Sequence, residues 1–280
     1  MDSLTGCEGS TVRSPLAMVC RMSERRQSVC PPQRSSPSTS RRQLLAGLGA
    51  AATTGLLGCG GAAANRRVVA APHVVLLGDS ILDNGRYVRG KPAVSQQLGE
   101  LLTASGGRAT LLARDGDRVG DVQEQLHGLP QDATHLIVSA GGNDALDQSG
   151  LLDREMARSS ELLGELAQVH ARFAAAYRAM LDALGATQKP FVVCTIYDSN
   201  FEPPQKALAD TALSVFNDVI LRCAGEAGVP VVDLRRVFAG PADYANAIEP
   251  NEVGGAKMVA VFAAVCREHD FDARRCVLYP

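Results

Sequence analysis

Charge of one sign is what this 280-residue sequence most lacks: 28 Lys and Arg stand against 30 Asp and Glu, a net −2. Nucleic-acid binders usually present a basic field, so partners of that class are excluded on charge. No run of 18 apolar residues occurs, which excludes a membrane-spanning helix. Metal ligands are scarce, because the five histidines are scattered and no cysteine pair has CxxC spacing. Neither a metal nor a cofactor is expected. No GxxxxGK[ST] loop is present and no GxGxxG opens the first helix, so phosphate-loop and dinucleotide readings fail. The G-x-S-x-G nucleophile elbow is absent too. A hydrophobic fraction of 46% is nevertheless ample for a buried core.

The overall balance conceals a split. Residues 1–58 hold 7 basic and 3 acidic side chains, leaving 21 of the 28 basic and 27 of the 30 acidic residues to the remainder. Within that basic leader, PPQRSSPSTSRR (31–42) has no apolar period, and Leu44–Gly58 runs fifteen residues without a charge. That is the length of a signal-peptide apolar region and too short to span a bilayer. Ser40-Arg41-Arg42-Gln43-Leu44-Leu45 resembles a twin-arginine export motif. Leu56-Leu57-Gly58-Cys59 resembles a bacterial lipobox with Cys59 as the lipidated residue. The expected organisation is an export signal over 1–58, a linker over 59–72 and a folded domain over 73–280. The mature protein is expected in the cell envelope, held to the membrane only by a lipid anchor. Cys266 and Cys276 are near enough in sequence to bridge in an oxidising compartment, and Cys194 reads as a small buried hydrophobe.

From residue 73 apolar runs alternate with helical periodicity. Strands are expected over 73–80, 109–114, 134–142, 190–198 and 229–238, and helices over 92–104, 122–129, 151–186, 205–227 and 253–269. Such alternation argues a parallel, doubly wound α/β sheet covered on both faces. Ligands in these sheets bind beyond the carboxyl ends of the strands.

Three loops at consecutive strand ends carry suitable chemistry. They are Gly78-Asp79-Ser80, Asp115-Gly116-Asp117 and Gly141-Gly142-Asn143-Asp144. A serine just beyond a strand exposes its hydroxyl to the cleft. A glycine N–H and an Asn amide are the donors that a tetrahedral oxyanion requires. Together they point to acyl transfer.

In order and placement these blocks resemble the SGNH hydrolase superfamily, also called GDSL esterases and lipases. The resemblance covers roughly residues 73–268 and implies a flavodoxin-like three-layer α/β/α sandwich with a five-stranded parallel sheet. It implies Ser80 as nucleophile, and Ser80 N–H, Gly116 and Asn143 as the oxyanion hole; Gly120 is the rival for the second block. The family's closing Asp-x-x-His block is altered. Asn246 occupies the Asp position and Glu249 the His position, followed in register by Pro250 and a helix. No histidine is well placed to replace the missing one: His73 and His135 fall at the amino ends of strands, and His127, His170 and His269 lie on or beside helices.

Two functions follow from this pattern. One is hydrolysis of a small-molecule or glycan ester, acyl or acetyl, with Glu249 as the base. The other is a non-catalytic relative that binds an acyl, glycan or envelope ligand in the same cleft. Asp79, Tyr197 and Asp198 are candidate substrate contacts. Asp79, Asp144 and Asp243 are candidate neighbours able to raise the Glu249 pKa by like-charge repulsion.

Overall fold

The structure, a computed structural model, describes residues 71–280. The expected export signal over 1–58 and Cys59 lie outside the described residues, as does most of the expected linker.

Strand β1 (His73–Gly78) is buried along its whole length. It is followed by α1 (Val94–Thr103), β2 (Arg108–Leu111), the short α2 (Val122–Gln125) and β3 (His135–Ser139). Then come α3 (Gly142–Leu146), the 28-residue α4 (Ser159–Ala186), β4 (Phe191–Cys194) and α5 (Gln205–Ala227). The chain closes with β5 (Val231–Val232), α6 (Leu234–Val237), α7 (Glu252–Glu268) and β6 (Leu278–Tyr279).

The strands form one parallel sheet in the order β2-β1-β3-β4-β5-β6. This is the flavodoxin-like order, in which the winding reverses around β1 and opens a crevice beside its carboxyl end. Side chains alternate between the two faces. Val75, Leu77, Leu136, Val138 and Val193 pack with residues of α2, α4 and α5. Val74, Leu76, Ile137, Val192 and Cys194 pack with residues of α1 and α7. The three-layer sandwich expected from the sequence is therefore present.

Several boundaries differ from expectation. Among the described residues the sheet has six strands rather than five, because Leu278–Tyr279 pairs with β5. β5 is cut to two residues. Asp233 turns to bind Arg235 at 2.7 Å and Thr195 Oγ1 at 2.9 Å, and the chain leaves the sheet as α6 instead of continuing to 238. β4 ends at Cys194, four residues early. The expected helix over 151–186 starts only at Ser159, preceded by a 3₁₀ turn over Ser149–Asp153. Cys266 and Cys276 are free thiols, so the bridge admitted by their spacing is not formed, and Cys194 is buried as expected.

Candidate active site

Gly78 ends β1 at φ +125°, with its α-carbon so close to β3 that a β-carbon would collide with the Ser139 carbonyl. Only glycine tolerates that approach together with that φ. The Gln125 side chain clasps this turn. Its Oε1 accepts from Gly78 N–H at 2.8 Å, and its Nε2 donates to the Gly78 carbonyl at 2.7 Å and to Asp117 Oδ2 at 2.8 Å. Asp79 N–H donates to the Ser139 carbonyl at 3.1 Å, and its carboxylate accepts from Ile81 N–H at 3.1 Å. Ser80 thus leaves the sheet edge on a braced turn, buried, at the mouth of the β1–β3 crevice. Its own N–H takes no part in the turn's hydrogen bonds among the described residues.

Asn143 sits in the first turn of α3 and donates through Nδ2 to the Asp117 carbonyl at 2.8 Å. That bond uses one of two amide hydrogens and leaves the second. It also ties the loop after β2, with Gly116 at φ +93°, to the loop after β3. The rival Gly120 is built into the 3₁₀ turn Val119–Asp121.

Glu249 is held by a narrow loop in which Tyr244 bridges antiparallel to Pro250 and Ala245 N–H donates to the Glu249 carbonyl at 2.8 Å. Asn246 Oδ1 accepts from the N–H groups of Ile248 at 2.8 Å and Glu249 at 2.9 Å. Tyr197 Oη donates to the Ile248 carbonyl at 2.6 Å. The helix that follows is capped by Asn251, whose Oδ1 accepts from Val253 and Gly254 N–H, so Glu249 has no capping role. The Glu249 side chain is instead 5% exposed, and its Oε2 has no hydrogen-bond partner.

The electrostatics of this pocket are those of crowded, buried carboxyls. Burial pushes Glu249 well above the usual carboxylate range, and the Asp79 charge adds to the rise. The Ser80 hydroxyl facing it pulls the other way, while Asp115 and Asp83 raise it further. Asp79 itself is raised to about 7, chiefly by burial. Of the neighbours expected to act on Glu249, Asp79 does so. Asp144 is instead occupied in accepting from Val119 N–H at 3.0 Å, and Asp243 is paired with Lys257 at 2.7 Å.

Ser80, Asn143, Glu249, Asp79 and Tyr197 all line one cavity of about 480 Å³. Gly116 and Asp198 do not. Gly116 lies in the neighbouring loop, one residue from the carbonyl that Asn143 binds. Asp198 is exposed, because Tyr197 turns inward to reach Ile248 and the next side chain therefore points out; only its carbonyl is engaged, by Tyr244 Oη at 2.7 Å. No histidine lines the cavity. His73 and His135 open β1 and β3 at the opposite end of the sheet. Among the described residues, no group of three or more His, Cys, Asp or Glu is placed to hold a metal ion, and no helix is long and apolar enough to cross a membrane.

The GDSL-like Lipase/Acylhydrolase family model matches residues 76–256, well over half of the sequence and inclusive of every loop just described. The chain belongs to that family. Its architecture is similar to that of LAE5, an α/β hydrolase enzyme from the metagenome of Lake Arreo, with a TM-score of 0.52 at 20% identity over 70% of this chain and 95% of that one. It is likewise similar to Axe2, an acetylxylan esterase from Geobacillus stearothermophilus, with a TM-score of 0.52 at 18% identity over 71% of this chain and 95% of that one. At such identities the likeness is one of fold. No curated protein matches the sequence. Within this GDSL-family chain, Gln125, Asn84 and Asn246 emerge as residues that position the loops. Gln125 and Asn84 carry no local signal, because they act on the distant backbone of Gly78 and Pro250, whereas Asn246 stands in the altered closing block and binds its own turn.

Proposed function

We propose that this GDSL-family protein is a carboxylic-ester hydrolase in which Ser80 is the nucleophile and Glu249 the base. The observation that carries the reading is a buried carboxyl, its Oε2 without a hydrogen-bond partner, that lines the same cavity as Ser80 and Asn143. In the proposed step Ser80 Oγ bonds to the ester carbonyl carbon as its proton passes to Glu249. The negative oxygen that forms accepts from the second Asn143 amide hydrogen and from the N–H groups of Ser80 and Gly116. Collapse breaks the bond to the alcohol oxygen, which takes the proton back from Glu249. Water then repeats the sequence on the acyl-enzyme and releases the acid. Asp79 raises the basicity of Glu249 through its charge, and Tyr197 sets the Glu249 loop from behind.

The test is hydrolysis of p-nitrophenyl acetate and butyrate by the purified protein, with Ser80→Ala as control. Turnover is expected in the parent and not in the variant; equal turnover in both overturns the assignment. The second reading, an SGNH-fold protein that binds an acyl, glycan or envelope ligand without turnover, draws on one observation: burial favours the neutral form of Glu249, which cannot accept a proton. For location, the proposal is an exported lipoprotein anchored through Cys59, supported by the order of basic stretch, apolar run and small-residue cysteine site.

A further inference from the structure

The charged groups lining the cavity are all of one sign. Among the described residues that line it there is no Lys, Arg or His, and the ionisable side chains are Asp79, Glu249 and Tyr197. The Tyr197 phenol is committed to the Ile248 carbonyl, which leaves two carboxyls. Both are buried. Each also keeps an oxygen that no donor reaches among the described residues. Glu249 Oε2 has no hydrogen-bond partner. Asp79 Oδ1 accepts from Ile81 N–H at 3.1 Å, whereas its Oδ2 accepts from no group. That Oδ2 stands over Gly142, where a β-carbon would sit 3.7 Å away. Gly142 lines the cavity too, so its missing side chain leaves Oδ2 uncovered on that side.

Buried acceptors without donors are costly, and carboxyls without a counter-charge costlier still. A ligand that removes both costs brings a positive charge together with N–H donors. A metal ion does not fit, because it takes several oxygen ligands and among the described residues no third His, Cys, Asp or Glu is placed to join these two. An anionic ligand would be repelled. We propose that the cavity recognises an ester bearing an ammonium group close to its carbonyl, with Asp79 Oδ2 as the seat of that group. On the acyl side such a molecule is an aminoacyl ester, and on the alcohol side an amino-alcohol ester. A cation held there also favours the ionised form of Glu249, the form able to take the proton from Ser80. The substrate thus supplies a positive charge that the lining residues lack. The word substrate rests on the hydrolase reading; the ammonium seat does not.

Matched esters test the proposal at about pH 7, below the α-amino range of about 7.7–8.0, so that the amines are charged. Ethyl alaninate, ethyl lactate and ethyl propanoate differ only in an ammonium, a hydroxyl or a hydrogen beside the carbonyl. On the alcohol side, 2-(dimethylamino)ethyl acetate is paired with its uncharged analogue 3-methylbutyl acetate. Each kcat/KM is divided by that ester's own alkaline hydrolysis rate. One of the two series should then favour the ammonium ester by roughly 10–100-fold, the span of a hydrogen bond to a charged group. Calorimetry of Ser80→Ala should show the same preference in Kd. Asp79→Asn should abolish the preference. Gly142→Ala adds a methyl that meets only Asp79 Oδ2, at a helical position, and should lower the preference severalfold with the fold intact. Ammonium esters matched by their uncharged partners in both rate and Kd overturn the seat and leave the hydrolase standing. A preference undiminished in both variants overturns Asp79 as the seat. Preferential binding of an ammonium ester with no hydrolysis of any ester by the parent sustains the seat and overturns the hydrolase.

Discussion

Asn84 joins Pro250 across 166 residues of sequence: its Nδ2 donates to the Pro250 carbonyl at 3.2 Å while its Oδ1 accepts from Val94 N–H at 2.9 Å. One buried side chain thus ties the loop after Ser80 to the start of α1 and to the residue following Glu249. Asn84→Ala leaves a carbonyl and an N–H without their partner, at a cost of about 1–3 kcal/mol. The expected outcome in urea denaturation is a lower midpoint with an unchanged slope. Esterase activity should fall further than the loss of folded protein accounts for, because Glu249 loses its tether.

Asp79 gives the protein a stability that depends on pH. An exposed Asp79 would lose its proton near 3.8, whereas the folded one holds it to about 7. Between those values the unfolded state binds fewer protons, so stability falls as pH rises. The contribution is fully present below the unfolded value and is lost by the time pH passes about 7, a change on the order of 4 kcal/mol. Asp79→Asn carries no such charge. Its melting temperature should exceed the parent's at about pH 8 and converge with it near pH 4. Equal offsets at both pH values would contradict the assignment.

The layers were legible in the sequence because β-branched runs and helical periods alternate, and the 205–227 helix has the bounds its apolar spacing implies. β6 was not, since two residues carry no period. β5 read too long because nothing local shows that Asp233 will turn away to Arg235 and Thr195. In the site, Ser80, Asn143 and Glu249 could be placed from the strand ends and the register of Pro250. Asp198 was misplaced because Tyr197 takes the inward position there. Gln125 passed for an ordinary polar residue on a short helix; its meaning depends on Gly78 and Asp117 meeting beside it, which is a property of the fold.

Asn143 retains one amide hydrogen after binding the Asp117 carbonyl. If that hydrogen meets charge only in the transition state, Asn143→Ala lowers kcat by about 10²–10³ with little change in KM. Steady-state kinetics on p-nitrophenyl butyrate check this. A rise in KM with kcat preserved would make Asn143 a ground-state contact instead.

The lipoprotein proposal predicts that protein from its native host begins at Cys59 and carries acyl chains, each buried CH₂ contributing about 0.8 kcal/mol to membrane attachment. Intact-mass measurement should find no residue before Cys59, and Cys59→Ala should release the protein into the soluble fraction. Recovery of an unmodified leader from native membranes would contradict it.

The central claim is that Glu249 draws the proton from Ser80, and fluorophosphonate labelling across pH tests it most directly, because it reads the attack itself and needs no knowledge of the substrate. Ser80 Oγ bonds to phosphorus as fluoride leaves, and the labelled residue is identified by peptide mapping. The rate should climb with pH through a single limb set by a carboxyl well above its usual range. Label should be absent from Ser80→Ala, and the rate should fall by about 10²–10⁴ in Glu249→Gln with the fold retained. Labelling of Glu249→Gln at the parental rate, or label on a residue other than Ser80, would contradict the account.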